Sequence, residues 1–409
     1  MNVKFITLGC KVNQYETQAL IEEFVNDGFH ITQEKADIYV INTCAVTHRA
    51  EAKSKEAIAR VKKENPQAKI VVCGCMVNSN KELLSNLDVD YLIPQDIKYN
   101  LVDIITNREI RKRSIWDLKI SRFFNQRAFV KIQDGCDYNC SFCEIPFIRG
   151  RAQSRRKEEI IAEVKRLSYN YREIVLCGVN LGLYGKDLGN SYNLVNLIEE
   201  ILEGDNLGRL RLSSLEPGLV GDDLLKLFVH PKLCPHIHLP FQSGDDRVLK
   251  FMNKRENVSL YYRIVDNVRK INPHIAISCD IMLGFPYEDE DSFKNTLEFL
   301  NKVKPMRIHI FTFSPRPHTP FANYNINNYR VIKERQDILK RLANEFNLSY
   351  KQKFLNQRLE MIAENKDDGY VCGYTSNYIK VWVEGKLRVG EVYPVVIKKI
   401  EPLRVIAGI

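Results

Sequence analysis

The chain has 409 residues, 44% of them hydrophobic and 27% charged, with a net charge of +9. That balance suits two to three globular domains with cores of their own and excludes a low-complexity or disordered chain. No apolar run approaches a membrane span and the first ten residues are too soon interrupted for a signal peptide, so a cytoplasmic protein is expected, its eleven cysteines reduced thiols or metal ligands rather than disulfides.

Strands are predicted over Asn2–Leu8, Ala36–Ile41, Ala68–Cys73 and Val89–Ile93, separated by helical patterns. Asn13 with Glu16 three later reads as a capping box for the first helix. A helix from about Val46 should stop before Asn65-Pro66. Alternating strands and helices predict an open parallel α/β sheet. Cys10, Cys44 and Cys75 each fall just past the end of one of the first three strands. Ligands of such sheets bind outside the carboxyl ends of the strands, so three thiols distant in sequence should gather on one edge. His48, four after Cys44, is a nearby candidate ligand or a surface histidine. Cys73 lies inside the run Ile70-Val-Val-Cys and reads as a small buried hydrophobe.

Residues 107–156 hold twelve Lys/Arg against five Asp/Glu. A polyanion approaching this region would explain the excess, and so would a solvated basic linker. Within it stand Cys136, Cys140 and Cys143, at Cys-xxx-Cys-xx-Cys spacing, entered from an extended stretch at Phe129–Ile132. Three soft ligands this close suit one inorganic centre. Structural zinc would need a fourth ligand, and the next candidates are as distant as Cys177 and His230.

From Ala128 to about Pro320, strands are predicted at 128–133, 173–177, 209–214, 236–240, 275–283 and 307–313, with helices between. Six such units fit a partial parallel barrel with its reactive groups at the carboxyl ends of the strands. Polar and glycine-rich runs fall at those ends: 178–185, 213–216, 242–245, 284–286 and 314–319. Gly182 and Gly185 also fit simple turns, His238 a core histidine, and Cys177, Cys234 and Cys279 packing residues. Asn327 to about Asn356 reads as one long helix, and short alternating strands follow from Arg358. Tyr378, Lys380 and Trp382 alternate with aliphatics, a face suited to stacking on single-stranded bases or to structural packing. A small closed β-barrel is the natural home for these strands.

The 136–143 spacing resembles the radical S-adenosylmethionine (SAM) enzymes. The runs Leu8-Gly-Cys-Lys-Val-Asn-Gln14, Asn42-Thr-Cys-Ala45 and Gly74-Cys-Met76 look like the N-terminal domain of the methylthiotransferases, and the likeness covers essentially the whole chain. It implies two 4Fe-4S clusters, on Cys10, Cys44 and Cys75 and on Cys136, Cys140 and Cys143, the latter binding and cleaving SAM. It further implies SAM contacts from Asn180, Ser213, Glu216 and Gln242, and matches Arg149 and Arg151 to a family Arg-Gly segment. The last strands, with Asp368-Gly-Tyr370 and Thr375-Ser-Asn-Tyr378, resemble the RNA-binding TRAM barrel.

The implied domains are 1–105, an α/β domain with the auxiliary cluster; 106–127, a basic linker; 128–345, the radical SAM partial barrel; and 346–409, the TRAM-like barrel. The implied activity is methylthiolation of tRNA in the anticodon stem-loop by a monomer, with the electron donor and sulfur source unidentified. The run Gly9 to Thr17 looks like the branch acting on N6-threonylcarbamoyladenosine, because Lys11-Val12 stands where the isopentenyladenosine branch has Gln-Met. Isopentenyladenosine, a ribosomal-protein aspartate, another radical SAM reaction and a non-catalytic zinc-containing RNA-binding protein are the alternatives.

Overall fold

In a computed structural model describing every residue except Lys112, Asn190, Asn327 and Pro402, the chain divides into two units. The first comprises Met1–Phe123, Gln133–Arg155 and Ser314–Asn323; the second comprises Phe124–Ile132, Arg156–Phe313 and Tyr324–Ile409. Among the described residues, no helix is long and apolar enough to cross a membrane.

The first unit runs through β1 (Asn2–Thr7), α1 (Lys11–Asn26), β2 (His30–Ile31), β3 (Ile38–Thr43), α2 (His48–Glu64), β4 (Lys69–Gly74), α3 (Cys75–Ser79), α4 (Lys81–Ser85), β5 (Tyr91–Ile93) and α5 (Leu101–Ile105). The strands form a parallel sheet in the order β2-β1-β3-β4-β5. Every residue of β3 is buried, which is why its sequence reads as a continuous apolar run rather than an alternating one. The two-residue edge strand β2 is too short to leave a pattern. After β6 (Ala128–Lys131), which belongs to the second unit, the chain returns. There β7 (Gln133–Asp134) pairs antiparallel with β8 (Gln153–Ser154), closing a loop that carries residues 136–143 and α6 (Ile145–Arg149).

The capping box expected at Asn13 and Glu16 does not form. Helix α1 begins at Lys11, and no side chain caps it. Asn13 and Glu16 lie inside the helix, almost wholly buried, and serve a different purpose described below. In the 107–156 stretch, several of the basic residues are paired or buried. Arg108 pairs with Asp27 (2.5 Å), Arg111 with Asp103 (2.7 Å) and Arg113 with Glu23 (2.5 Å). Arg127 pairs with Glu364 at 2.5 Å, and Lys131, Arg149 and Arg155 are buried. Arg108, Arg111, Lys119, Arg122, Arg151 and Arg156 are exposed among the described members, the first two within ion pairs. The partners Asp27, Glu23 and Glu364 lie far away in sequence, whereas Asp103 is eight residues from Arg111.

The second unit continues with α7 (Lys157–Ser168), β9 (Glu173–Cys177), α8 (Leu194–Leu202), β10 (Arg209–Leu212), α9 (Asp222–Lys226), β11 (His236–Gln242), α10 (Asp246–Phe251), α11 (Val258–Ile271), β12 (Ala276–Leu283), α12 (Glu290–Val303), β13 (Arg307–Thr312) and α13 (Tyr329–Gln352). Two parallel three-stranded sheets, β10-β9-β6 and β11-β12-β13, are joined by the bridges Leu210–Leu233 and Ser214–His238. The result is the expected six-strand partial barrel. Asn193, Asp245, Asn257 and Asp289 cap its helices, each accepting from a first-turn N–H. Of the long helix expected from Asn327, that residue lies outside the described ones.

Strands β14 (Arg358–Asp367), β15 (Tyr370–Thr375), β16 (Lys380–Glu384), β17 (Val392–Ile400) and β18 (Val405–Gly408) close a barrel in the order β14-β15-β16-β18-β17. Asp368 and Gly369, both at positive φ, make the tight hairpin turn between its first two strands. Ile379, Val381 and Val383 face its core, as the alternation predicts. Tyr378 does not share the opposite face, because it precedes β16 with φ +68°. Its ring lies 4.9 Å from Tyr374, 4.5 Å from His236 and 4.6 Å from the Arg211 guanidinium. Tyr378 therefore docks the small barrel onto the partial barrel, and Lys380 and Trp382 are left as the aromatic-basic pair.

The same junction buries Glu173 completely, 2.5 Å from Arg209 and 2.7 Å from Arg211. Both arginines also donate to the small barrel, at the carbonyls of Glu360, Tyr374 and Thr375. Burial pushes the Glu173 carboxyl up, but Arg209, Arg211 and Arg127 outweigh it and hold it well below the usual carboxylate range. A depressed carboxylate contributes stability above its unfolded value and loses it as pH falls toward the folded one. Glu173→Gln should cost about 3 kcal/mol at pH 7, the scale for breaking a buried ion pair. The gap between the thermal midpoints of wild type and variant should narrow below about pH 4.5.

Candidate metal centres and cofactor pocket

Strands β1, β3 and β4 are neighbours and end in register, with Thr7 beside Asn42 and Asn42 beside Cys73. Cys10, Cys44 and Cys75 follow two or three residues later on that edge. Cys10 is exposed at the N-terminus of α1, whereas Cys44 and Cys75 are buried. Two glycines make the geometry possible. At Gly74 (φ +94°) a Cβ would come within 2.5 Å of Asn42 Oδ1, and at Gly9 (φ +100°) within 2.9 Å of Cys44 Cβ. The Cys10 turn thus passes directly over Cys44. Burial pushes the Cys44 thiol up to about 12, the Cys75 and Cys10 thiols adding to it, and burial raises Cys75 too. Such thiols are poor nucleophiles, and a set of three suits a soft metal centre that would hold them as thiolates. Cys73 is fully buried within β4, as expected of a packing residue.

His48, the alternative ligand, is exposed at the start of α2. Its N–H donates to Ser314 Oγ at 3.0 Å, and its ring is engaged by the Pro315 carbonyl. This 314–319 run, expected at the barrel mouth, belongs to the first unit. Arg316 donates to Ala45 O (3.0 Å) beside Cys44 and pairs with Glu51 (2.9 Å), and His318 stacks on Phe147 at 3.5 Å.

Cys136, Cys140 and Cys143, all half-buried, lie in the loop closed by β7 and β8. The Cys136 N–H donates to Gly150 O (3.1 Å), the Tyr138 N–H to Cys136 Sγ (3.4 Å) and the Cys143 N–H to Cys140 O (3.0 Å). Just after this loop, Arg149 is fully buried. It donates to Glu16 Oε1 (2.9 Å), Asp134 Oδ2 (3.0 Å) and Asn13 Oδ1 (2.7 Å). Asn13 in turn donates to Leu8 O (2.8 Å) and Thr43 O (2.9 Å), the carbonyls that lead into Cys10 and Cys44. Lys98 Nζ reaches Glu16 at 2.5 Å. One buried polar network therefore holds both cysteine-bearing regions of this unit. Arg149 read as linker or family motif in the sequence. The available signal was the unusual set of polar residues, Asn13 and Glu16, on a helix that should be packing a sheet.

In the second unit, Asn180 follows β9, Ser213 and Glu216 follow β10, and Gln242 ends β11. The structure brings these four to the carboxyl ends of three adjacent strands. Ser213 Oγ is buried and has no hydrogen-bond partner among the described residues. Gln242 sits at a register shift with φ +67°, a strained backbone that re-aims its side chain. Glu216 is held by Lys254, which also lies 3.7 Å from the buried Glu256. Burial raises the Glu216 carboxyl and Lys254 opposes the shift. An unfilled donor and paired carboxylates at one barrel mouth fit a polar, zwitterionic cofactor such as SAM.

Residues 2–93 match the Uncharacterized protein family UPF0004, and residues 130–300 match the Radical SAM superfamily. With the six-strand partial barrel, this defines a radical SAM enzyme. The chain is 36% identical to a threonylcarbamoyladenosine tRNA methylthiotransferase of Thermotoga maritima, covering 99% of this chain and 96% of that protein. It is 33% identical to a tRNA-2-methylthio-N(6)-dimethylallyladenosine synthase of Pelagibacter ubique, covering 93% and 91%. The radical SAM methyltransferase TsrM from Kitasatospora setae shares the fold (TM-score 0.58, 14% identity, 78% and 76% coverage). The chain belongs to the radical SAM methylthiotransferase family. It is a transferase whose cofactors are SAM and 4Fe-4S clusters, which sets aside a non-catalytic zinc protein.

Glu16→Ala should leave Lys98 and Arg149 with less compensating charge in a buried site, at a cost of about 3–5 kcal/mol. The expected outcome is a lower thermal midpoint together with poorer retention of iron on desalting. An unchanged midpoint would show that the network does not hold this unit together.

Proposed function

We propose that this protein inserts a 2-methylthio group into N6-threonylcarbamoyladenosine beside the anticodon of tRNA. The observation that carries the reading is the pair of three-cysteine sets, each held by its own backbone, in a chain aligned over nearly its full length with a methylthiotransferase of that name. The target C–H on an aromatic ring has no useful acidity, so acid–base side chains cannot activate it. When bound, the clusters and SAM supply the one-electron and sulfur chemistry the reaction needs.

The roles of the chain's own residues follow. Cys136, Cys140 and Cys143 would hold the 4Fe-4S cluster that supplies the electron for SAM cleavage. Cys10, Cys44 and Cys75 hold the second cluster, with Cys10 on the exposed side. Asn180, Ser213 and Gln242 orient SAM at the barrel mouth, and Glu216 contributes charge there through its pair with Lys254. Lys380, stacked 4.7 Å over Trp382, and the exposed Lys386 and Arg388 offer the small barrel's contact to the anticodon stem-loop. On this reading 1–105 is the sulfur-carrying domain, 106–127 the linker, 128–345 the radical domain and 346–409 the RNA-binding domain of a cytoplasmic monomer. Lys11-Val12, the discriminant for the threonylcarbamoyl branch, opens α1 directly after Cys10, with Val12 buried.

Iron analysis after anaerobic reconstitution tests the cluster assignment. Wild type should hold about eight irons per chain, and Cys10→Ala/Cys44→Ala/Cys75→Ala and Cys136→Ala/Cys140→Ala/Cys143→Ala about four each. Mass analysis of nucleosides from tRNA treated with each protein tests the substrate. The 2-methylthio derivative of threonylcarbamoyladenosine should form with wild type and with neither triple variant. Formation of the isopentenyl derivative instead would overturn the substrate assignment.

A further inference from the structure

Inside the second unit, three side chains on neighbouring strands converge: His238 on β11, Asp280 on β12 and His309 on β13. The register places Ser278 beside His238 and Asp280 beside His309. Ser278 and Asp280, two apart on one strand, face the same side. The cluster is thus set by strand pairing rather than by flexible loops. One ligand atom from each of the three residues lies within 4.8 Å of the other two.

Three observations say what this cluster is suited to hold. His238 Nε2 is 3.2 Å from Asp280 Oδ2, and His309 Nδ1 is 3.4 Å from Asp280 Oδ1. The first is a hydrogen bond and the second an ion-pair contact, both long against the about 2.7–2.9 Å of a tight charge-assisted bond. Two ligands each about 2.1 Å from one ion, at tetrahedral or octahedral angles, stand about 3.0–3.4 Å apart, and each histidine lies at such a distance from one of the two Asp280 oxygens. Next, Asp280 Oδ1 is a buried atom with no hydrogen-bond partner among the described residues, and a buried orphan oxygen calls for a ligand. Lastly, the far nitrogen of His238 is already fixed. Nδ1 lies 2.9 Å from Ser278 Oγ, which itself lies 3.0 Å from His236 Nε2. A metal-bound imidazole is characteristically oriented through its second nitrogen in this way.

We propose that His238, Asp280 and His309 form a mononuclear site for a divalent transition metal, distinct from both cysteine sets. Two imidazoles and one carboxylate suit zinc, iron(II) or manganese(II) rather than calcium or magnesium. Three protein ligands leave coordination positions open, and the His309 side chain is 44% exposed, so an oxygen ligand from a bound substrate can complete the shell.

The test uses anaerobically reconstituted enzyme with both clusters present and oxidised, hence silent in electron paramagnetic resonance. Manganese(II) is titrated in, and the free ion is read from its six-line signal. Wild type should bind one manganese per chain. Asp280→Asn and His309→Gln should each weaken binding at least tenfold at unchanged iron content, the latter at an exposed position where folding is least at risk. Ser278→Ala, which removes only the orienting contact, should weaken it about tenfold. The proposal is overturned if wild type binds neither manganese in this titration nor zinc by metal analysis after dialysis, or if the variants bind as wild type does. Because the readout is metal bound, it stands or falls independently of the tRNA substrate.

Discussion

The guanidinium of Arg149 is the contact on which the first unit depends. It neutralises Glu16 and Asp134 at the cost of being wholly buried, and it fixes the amide of Asn13. Through Asn13 it reaches the backbone leading into Cys10 and Cys44, and by its own position it anchors the chain that has just carried Cys136, Cys140 and Cys143. A buried arginine is costly unless its charge and N–H groups are paired, so Glu16, Asp134 and Asn13 are constrained by it. Arg316 repeats the strategy on the other flank of Cys44, tying Ala45 O and Glu51 to a segment that arrives from much later in the chain.

The second unit relies on arginine in another way. Arg209 and Arg211 serve two masters, a buried Glu173 beneath the partial barrel and backbone carbonyls of the small barrel. Tyr378 adds its ring to this junction at a left-handed backbone position. The small barrel is consequently fastened by groups that a strand-alternation argument assigns to an outer face. Its exposed face is narrower than the sequence suggests: Trp382 is buried with its indole N–H on Asp367, which leaves the half-buried Lys380 and the exposed Lys386 and Arg388 of the following turn.

The periodicities that define strands and helices are local, and they were legible. The six barrel strands, the parallel N-terminal sheet and the closed terminal barrel all follow from them. So did the placing of the cysteines, since spacing and strand ends are also local properties. Long-range pairings were not legible. Asn13 and Glu16 have the types and spacing of a capping box, yet their partners lie some 30 and 133 residues away. Part of the basic excess of 107–156 is offset in the same way, by Glu23 on α1 and by Glu364 on β14. His238 read as an ordinary core histidine, because nothing local announces Asp280 and His309 on the next two strands.

The first unit is assembled from three stretches, the last being Ser314–Asn323. On a ribosome, its sheet and both cysteine sets emerge long before that final piece, with nearly all of the second unit's partial barrel synthesised in between. Arg316 and His318, which brace Ala45 and Phe147, arrive last. The cysteine-bearing loops therefore spend much of translation without their closing brace, and contacts this distant in sequence are slow to form. The order of the chain thus separates the synthesis of the cysteine-bearing loops from that of the brace that closes over them.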